Sequence, residues 1–413
     1  MNISPVNLVN LKSGLIKNKN EQNFKQKNSA ALPVNKNIIS DKLPTSYYNY
    51  NISFKGNNDS TDDISFSDKE IRNINEFSIY ITGEKLSEDN ILKLQNGTIT
   101  PDEMLQILKS KDENDDTIAH KLAKYHPDIY IKATNNLSKK EKYDLLNMSN
   151  KKGRSVAYGL IKFRSFLTAT EGFSEEEMLN LLKQDNEGTP LVFKIIWYNP
   201  DLYTAVARGL SKENRYDLLT TVNGDNDSLA HRLSIAYPKV YLYSVADFSD
   251  EKRLNLLKKS NKNGDTPAHN LAQFSPQSYL DATKDFSKED RLDLLKTANE
   301  NGVTVAHILI KKPAEYLKAT QDFSEDEKID LLKMSDKFGN IVIQRVIDTH
   351  DGTKLLKSTK DLTTLITEFS NDKKFDLLTT ENAEGVSFAS VLENENPVLL
   401  DIIMNLLCTG NKN

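Results

Sequence analysis

The chain has 413 residues, 54 of them Lys or Arg and 59 Asp or Glu, for a formal charge of −5. That length suits two or three domains or one long array, and no apolar run of about 18 residues exists to span a bilayer. The single cysteine, Cys408, excludes an internal disulfide framework and a cysteine-based zinc cluster, and six histidines leave little material for a metal enzyme.

Residues 1–60 hold 13 Asn and eight Lys, with Glu21, Asp41 and Asp59 as their only acids. Eight minus three leaves this segment near +5, so the rest of the chain carries about −10. With no hydrophobic periodicity and with Pro5, Pro33 and Pro44 scattered through it, the segment reads as a disordered Asn/Lys-rich arm. Met1–Asn20 lacks the apolar core of a secretory signal peptide. The expectation is a cytoplasmic chain, or one exported by a route without a classical signal. Residues 61–98 read as an N-terminal helical cap, with helices over Ser67–Ile79 and Ser87–Leu94. Residues 99–408 read as a repeat array and 409–413 as a tail.

The array announces itself by a paired apolar position: Ile107-Leu108, Leu145-Leu146, Leu181-Leu182, Leu218-Leu219, Leu256-Leu257, Leu294-Leu295, Leu331-Leu332 and Leu377-Leu378. The spacings are 38, 36, 37, 38, 38, 37 and 46 residues. So steady a period predicts an all-α solenoid of about eight copies, each too small to bury its own core. Each copy predicts three short helices. In the fifth, Thr266-Pro267-Ala268-His269 opens the first, with Ala268, Leu271, Ala272 and Ser275 on one face. Pro276 opens the second. Ser287 caps the third, with acids in its first turn. Equivalent caps are Ser138, Ser174, Ser211, Ser249, Ser324 and Ser370, with capping boxes to Glu141, Glu177 and Glu327 in three of them. Prolines restart second helices at Pro127, Pro200, Pro238, Pro276, Pro313 and Pro397. Copy seven carries an insertion around 353–367, and copies two, three, seven and eight depart from the first-helix pattern at Tyr158, Val192, Ile343 and Ser390.

The first-helix openings Asp116-Thr117-Ile118-Ala119-His120, Asp227-Ser228-Leu229-Ala230-His231, Thr266-Pro267-Ala268-His269 and Thr304-Val305-Ala306-His307 resemble the ankyrin repeat, whose helix opens G-x-T-P-L-H-x-A-A. The likeness covers about residues 99–408 and is sharpest in the first helix. Ankyrin repeats are shorter and end in a β-hairpin, so the expectation is an ankyrin-like stack with a Ser-capped helix replacing the extended hairpin. The resemblance implies that His120, His231, His269 and His307 tie down turns by bonding backbone. It also implies a non-enzymatic scaffold for protein–protein interaction, a bacterial effector being one form of it.

Rings one layer apart cannot readily share a zinc ion. The acidic loops Asp112–Asp116 and Asn223–Asp227 have oxygens at alternate positions but not the spacing of a calcium-binding loop, and read as solvated turns. Cys408 reads as a buried inert thiol, and no phosphate-binding, hydrolase or metalloprotease motif occurs. No cofactor or metal is expected. The array's lysines alternate with acids, so they predict no basic stripe and no nucleic-acid partner; an RNA-binding helical solenoid is the alternative reading, and an enzyme hidden in 61–98 is excluded by size. Five residues past the His register stand Tyr125, Phe163, Trp197 and Phe274, expected to fill the gap against the second helix, with a partner-binding groove as the alternative. One residue past each His, Lys121, Arg232, Asn270 and Ile308 are expected to be the more exposed, variable positions that meet an unknown protein partner. The apolar C-terminal helix from Pro397 either folds onto the copy-seven insertion or forms a homodimer contact.

Overall fold

The computed structural model describes residues 64–162, 164–346 and 363–409. The chain forms two compact units, divided between Glu300 and Asn301. The arm 1–60, Phe163, most of the insertion (353–362) and the tail beyond 409 lie outside the described residues, as does the side chain of Cys408. Among the described residues all regular structure is helical, and strand-like pairing is confined to isolated antiparallel bridges.

In residues 64–300 the helices follow local chemistry. Ser67 caps Asp68–Thr82 and Ser87 caps Glu88–Asn96, while Thr100 and Glu103 form a capping box on Pro101–Lys109. First helices then recur at Ile118–Tyr125, Val156–Leu160, Leu191–Tyr198, Leu229–Ala236 and Pro267–Phe274. Second helices start on Pro127, Pro200, Pro238 and Pro276, where a missing N–H costs nothing. The boxes Ser138–Glu141 and Ser174–Glu177 form as spaced, and Ser211, Ser249 and Ser287 each accept the N3 amide.

Three devices hold neighbouring copies together in this unit. The paired leucines are fully buried, Leu145 and Leu146 among them. Each second helix inserts a large ring at one register: Tyr130, Phe166, Tyr203, Tyr241 and Tyr279 are all sealed from solvent. Burial pushes the Tyr203 phenol up to about 12, although it meets the Ser244 hydroxyl at 3.2 Å. On the third helices, Arg215 and Arg253 lie over Phe248 and Phe286 of the next copy at 5.1 and 5.0 Å and pair with the adjoining Asp247 and Asp285.

The segment that leads from a third helix to the next first helix is more ordered than a solvated turn. Lys111 bridges Thr117, Ser149 bridges Ser155 and Val222 bridges Ser228 in antiparallel fashion, a single pair closing each loop beside the Ser-capped helix. Successive loops also bond one another, Lys151 N–H to Asn114 O at 2.8 Å and Glu300 N–H to Asn263 O at 3.0 Å.

Residues 301–409 repeat the plan with Val305–Leu309, Pro313–Ala319 and Glu325–Lys333, the last capped by the Ser324–Glu327 box. Copy seven is distorted: its first helix is the 3-10 turn Val342–Val346, and Ser370 makes no side-chain cap. The C-terminal helix Pro397–Thr409 packs on Phe388–Glu395 and on Asn371–Thr379, burying Leu399, Ile403 and Leu407. It is therefore not apolar all round. Asp401 and Asn405 face solvent, as the outer side of a terminal helix requires.

Candidate functional site

The four histidines are built into the scaffold. In copy four the Ser228 hydroxyl accepts the His231 amide, while the Ser228 amide donates to His231 Nδ1 at 3.1 Å. Nδ1 is thus the unprotonated nitrogen, and Nε2–H donates to Asp265 O of the next copy at 3.0 Å. His120 repeats this with Thr117 and Arg154 O, and His307 with Thr304 and Asn340 O. His269 keeps the same Nδ1 pairing to Thr266. Burial lowers the pKa of His120, His231 and His307, which keeps the rings neutral.

The loop oxygens are occupied as well. Asp112 Oδ1 accepts the Asn114 and Asp116 amides at 2.8 and 2.9 Å, and Asn223 Oδ1 accepts those of Asp225 and Asp227, both at 3.0 Å. Among the described residues no group of three or more His, Cys, Asp and Glu is arranged to hold a metal ion.

The positions one past each His are less open than expected. Asn270 is buried, its Nδ2 donating to Ser234 Oγ at 3.2 Å in the preceding copy, because the small Ser234 lets the two first helices approach. Ile308 is half-buried. Lys121 and Arg232 turn back onto Asp116 and Asp227, at 2.9 and 3.4 Å, and serve the loops.

The aromatics go the other way. Tyr125 is 54% exposed, Trp197 76% and Phe274 52%. They do not fill the gap against the second helices; sealed rings such as Tyr130 and Tyr203 already occupy that space. Phe163, at the same register, lies outside the described residues. Further rings join this face. Tyr80 of the cap lies under Lys121 Nζ at 4.8 Å, Phe77 meets Tyr125 at 6.2 Å, and Lys162 stands over Tyr198 at 4.8 Å. Lys124 Nζ donates to Tyr125 Oη at 2.7 Å and holds that phenol below its ordinary range. Burial first, then a hydrogen bond with Tyr198, raise Tyr158 to about 12.

Lys124 and Lys162 stand over rings of this face, while Lys121 and Arg232 are held by the loop acids. The first helices from Ile118 to Phe274 carry Lys121, Lys124, Lys194 and Arg232 and not one carboxylate, whereas the third helices mix both signs. Sorting charges by helix, rather than along the chain, was the signal that exposes this.

No protein-family model matches the chain, and no curated protein matches it. The face is therefore read from its own chemistry: large, rigid, accessible rings flanked by lysines on a scaffold of fixed backbone. Among the described residues no helix is long and apolar enough to cross a membrane.

Proposed function

We propose that the chain is a non-enzymatic, ankyrin-like helical-repeat scaffold that binds another protein across the first-helix face of residues 64–300. The observation that carries this is the exposure of Trp197, at 76%, in register with Tyr125 and Phe274. Exposed aromatics aligned by a repeat are costly to solubility, and they supply contact area at low side-chain entropy when a partner covers them. The His–carbonyl staples and stacked loops support the same reading, since they fix the backbone while leaving the outer positions free to vary. The ankyrin likeness rests on the first-helix openings and on this staple. A role as a bacterial effector is compatible with it and would add export from the producing cell.

The test places a photo-crosslinking amino acid at Tyr125, at Phe274 or at Glu176 on a third helix, in the full-length chain. Protein adducts from the first two positions and none from Glu176 are expected. Adducts spread equally over all three, or absent from all, would remove the proposal.

A further inference from the structure

Resting on that reading, we propose that the first-helix face of residues 64–300 takes an extended acidic peptide segment, with carboxylates on Lys124 and Lys162 and apolar side chains against Tyr125, Trp197 and Phe274.

Charge selects this occupant. Lys124 and Lys162 are exposed, lie over the rings of Tyr125 and Tyr198 at 4.5 and 4.8 Å, and pair with no carboxylate among the described residues. Lys194 adds a third positive charge on Leu191–Tyr198. Opposing them, the cap contributes the exposed Glu76 one turn before Tyr80, and Asp128 and Asp201 open the neighbouring second helices. The centre of the face, between Tyr125 and Tyr198, stays positive in a chain whose residues beyond 60 carry about −10. Such a local reversal attracts an acidic partner and repels the basic arm of the same chain, which the +5 of residues 1–60 disqualifies as occupant.

Spacing and sparseness point to peptide rather than nucleic acid. At a general helix-packing distance of about 8–10 Å, the five intervals from Tyr80 to Phe274 would span roughly 40–50 Å. An extended peptide at about 3.3 Å per residue covers that with some 12–15 residues. Two or three unpaired lysines over such a length suit alternating acidic and apolar side chains. A nucleic-acid strand places a phosphate at every nucleotide and needs many more cations. The acidic loops at the other end of the first helices, with Glu113 and Asp225 exposed, would repel it further.

Trp197 is the only tryptophan, so its emission reports directly on this face. The experiment pans a phage-displayed library of random 12-residue peptides on the full-length chain. Peptides rich in Asp and Glu interleaved with apolar residues should be enriched. Synthesised without tryptophan, they should blue-shift Trp197 emission, and K124E/K162E should weaken them by about tenfold or more while leaving the far-ultraviolet spectrum unchanged. Enriched peptides that are neutral or basic but still shift Trp197 would overturn the acidic specificity and leave the face a protein-binding one. No enrichment, binding unchanged in K124E/K162E, or a 15-nucleotide oligouridylate that shifts Trp197 at lower concentration than any peptide would overturn the proposal; the last would give the face to nucleic acid.

Discussion

A histidine that spends both ring nitrogens on backbone cannot take a second proton without losing one bond. In His231 the Ser228 amide points at Nδ1, so protonation sets a donor against a donor. The folded state therefore binds protons more weakly than the unfolded chain, in agreement with the lowered pKa of His120, His231 and His307 relative to the ordinary 6.5. Because the unfolded state takes up more protons, stability from these groups is complete above about pH 6.5 and is lost as pH falls through the lowered values. Urea midpoints should be level from pH 8 to 7 and decline between 6.5 and 5, before the carboxylates contribute. The triple variant H120Q/H231Q/H307Q should be less stable at pH 8 yet nearly level across that window; a decline as steep as the parent's would assign it to other groups. Removing one ring, His231→Ala, strands the buried Ser228 amide and takes from the Asp265 carbonyl one of its two donors, leaving the Asn261 amide, and should cost about 1–3 kcal/mol in urea unfolding. The Thr/Ser-x-x-His spacing made the cap end of this staple legible in sequence. Its other end, a carbonyl 34 residues on, depends on how copies stack and was visible only as a property of the resemblance. Asn270 marks the same boundary: its helical position is readable, its burial against Ser234 is not.

At the level of elements, the loops separate two demands on glycine that sequence presents as one. Gly264 and Gly188 both sit at positive φ, +74° and +75°. A Cβ on Gly264 would come within 2.5 Å of the Glu300 backbone nitrogen, while one on Gly188 would meet nothing within 4 Å. Gly188→Ala should therefore cost only the left-handed conformation, about 1 kcal/mol, whereas Gly264→Ala must also push two loops apart and should cost clearly more. Thermal unfolding of the two variants decides it; equal losses would mean that the loop stack contributes nothing. Asp115 and Asn226 occupy the equivalent positions at φ 57° and 60°, the residue types that tolerate it best. Helix starts follow similar local rules. Ser174 accepts the Glu177 amide, so Ser174→Ala should lose about 1 kcal/mol of local protection in hydrogen exchange over Glu175–Lys183. Ser370 makes no such bond, and Ser370→Ala should leave exchange over Asn371–Thr379 close to unchanged. Serines, prolines and turn glycines were legible because each acts within four residues. The fate of the flanking aromatics was not, because Trp197 and Tyr203 are alike in hydrophobicity and only the neighbouring copy determines which is covered.

For the molecule as a whole, the bonds between copies seen among the described residues reach about one module. Among these, Ser155 bonds Asn186, 31 residues on, and Tyr203 meets Ser244, 41 residues on; across the copy-seven insertion Ser370 reaches back 45 residues to Glu325, and at the N-terminal end Lys132 reaches Glu70 at 62. A scaffold held by nearest neighbours should tolerate loss of one complete module and no fraction of one. Deleting residues 223–260 joins Val222 to Asn261, which opens its loop just as Asn223 did, with Thr266 replacing Ser228 as the cap of the following first helix. Arg215 would then meet Phe286 and Asp285 in place of Phe248 and Asp247, the partners Arg253 has in the intact chain. Two contacts are lost for good: the Tyr203 hydroxyl would face Ala282 where Ser244 stood, and the buried Asn270 amide would face an isoleucine of Leu191–Tyr198 where Ser234 stood. The shortened chain should keep its helical circular dichroism and unfold in a cooperative transition at somewhat lower temperature. Deleting residues 223–241 instead removes half a module, joins the end of a third helix to the middle of the second helix Pro238–Val245, and should abolish cooperative unfolding. If both deletions fold, or neither does, the stability of this chain is not carried by contacts between adjacent modules, and the staples, stacked loops and Arg–Phe contacts are consequences of some other organisation.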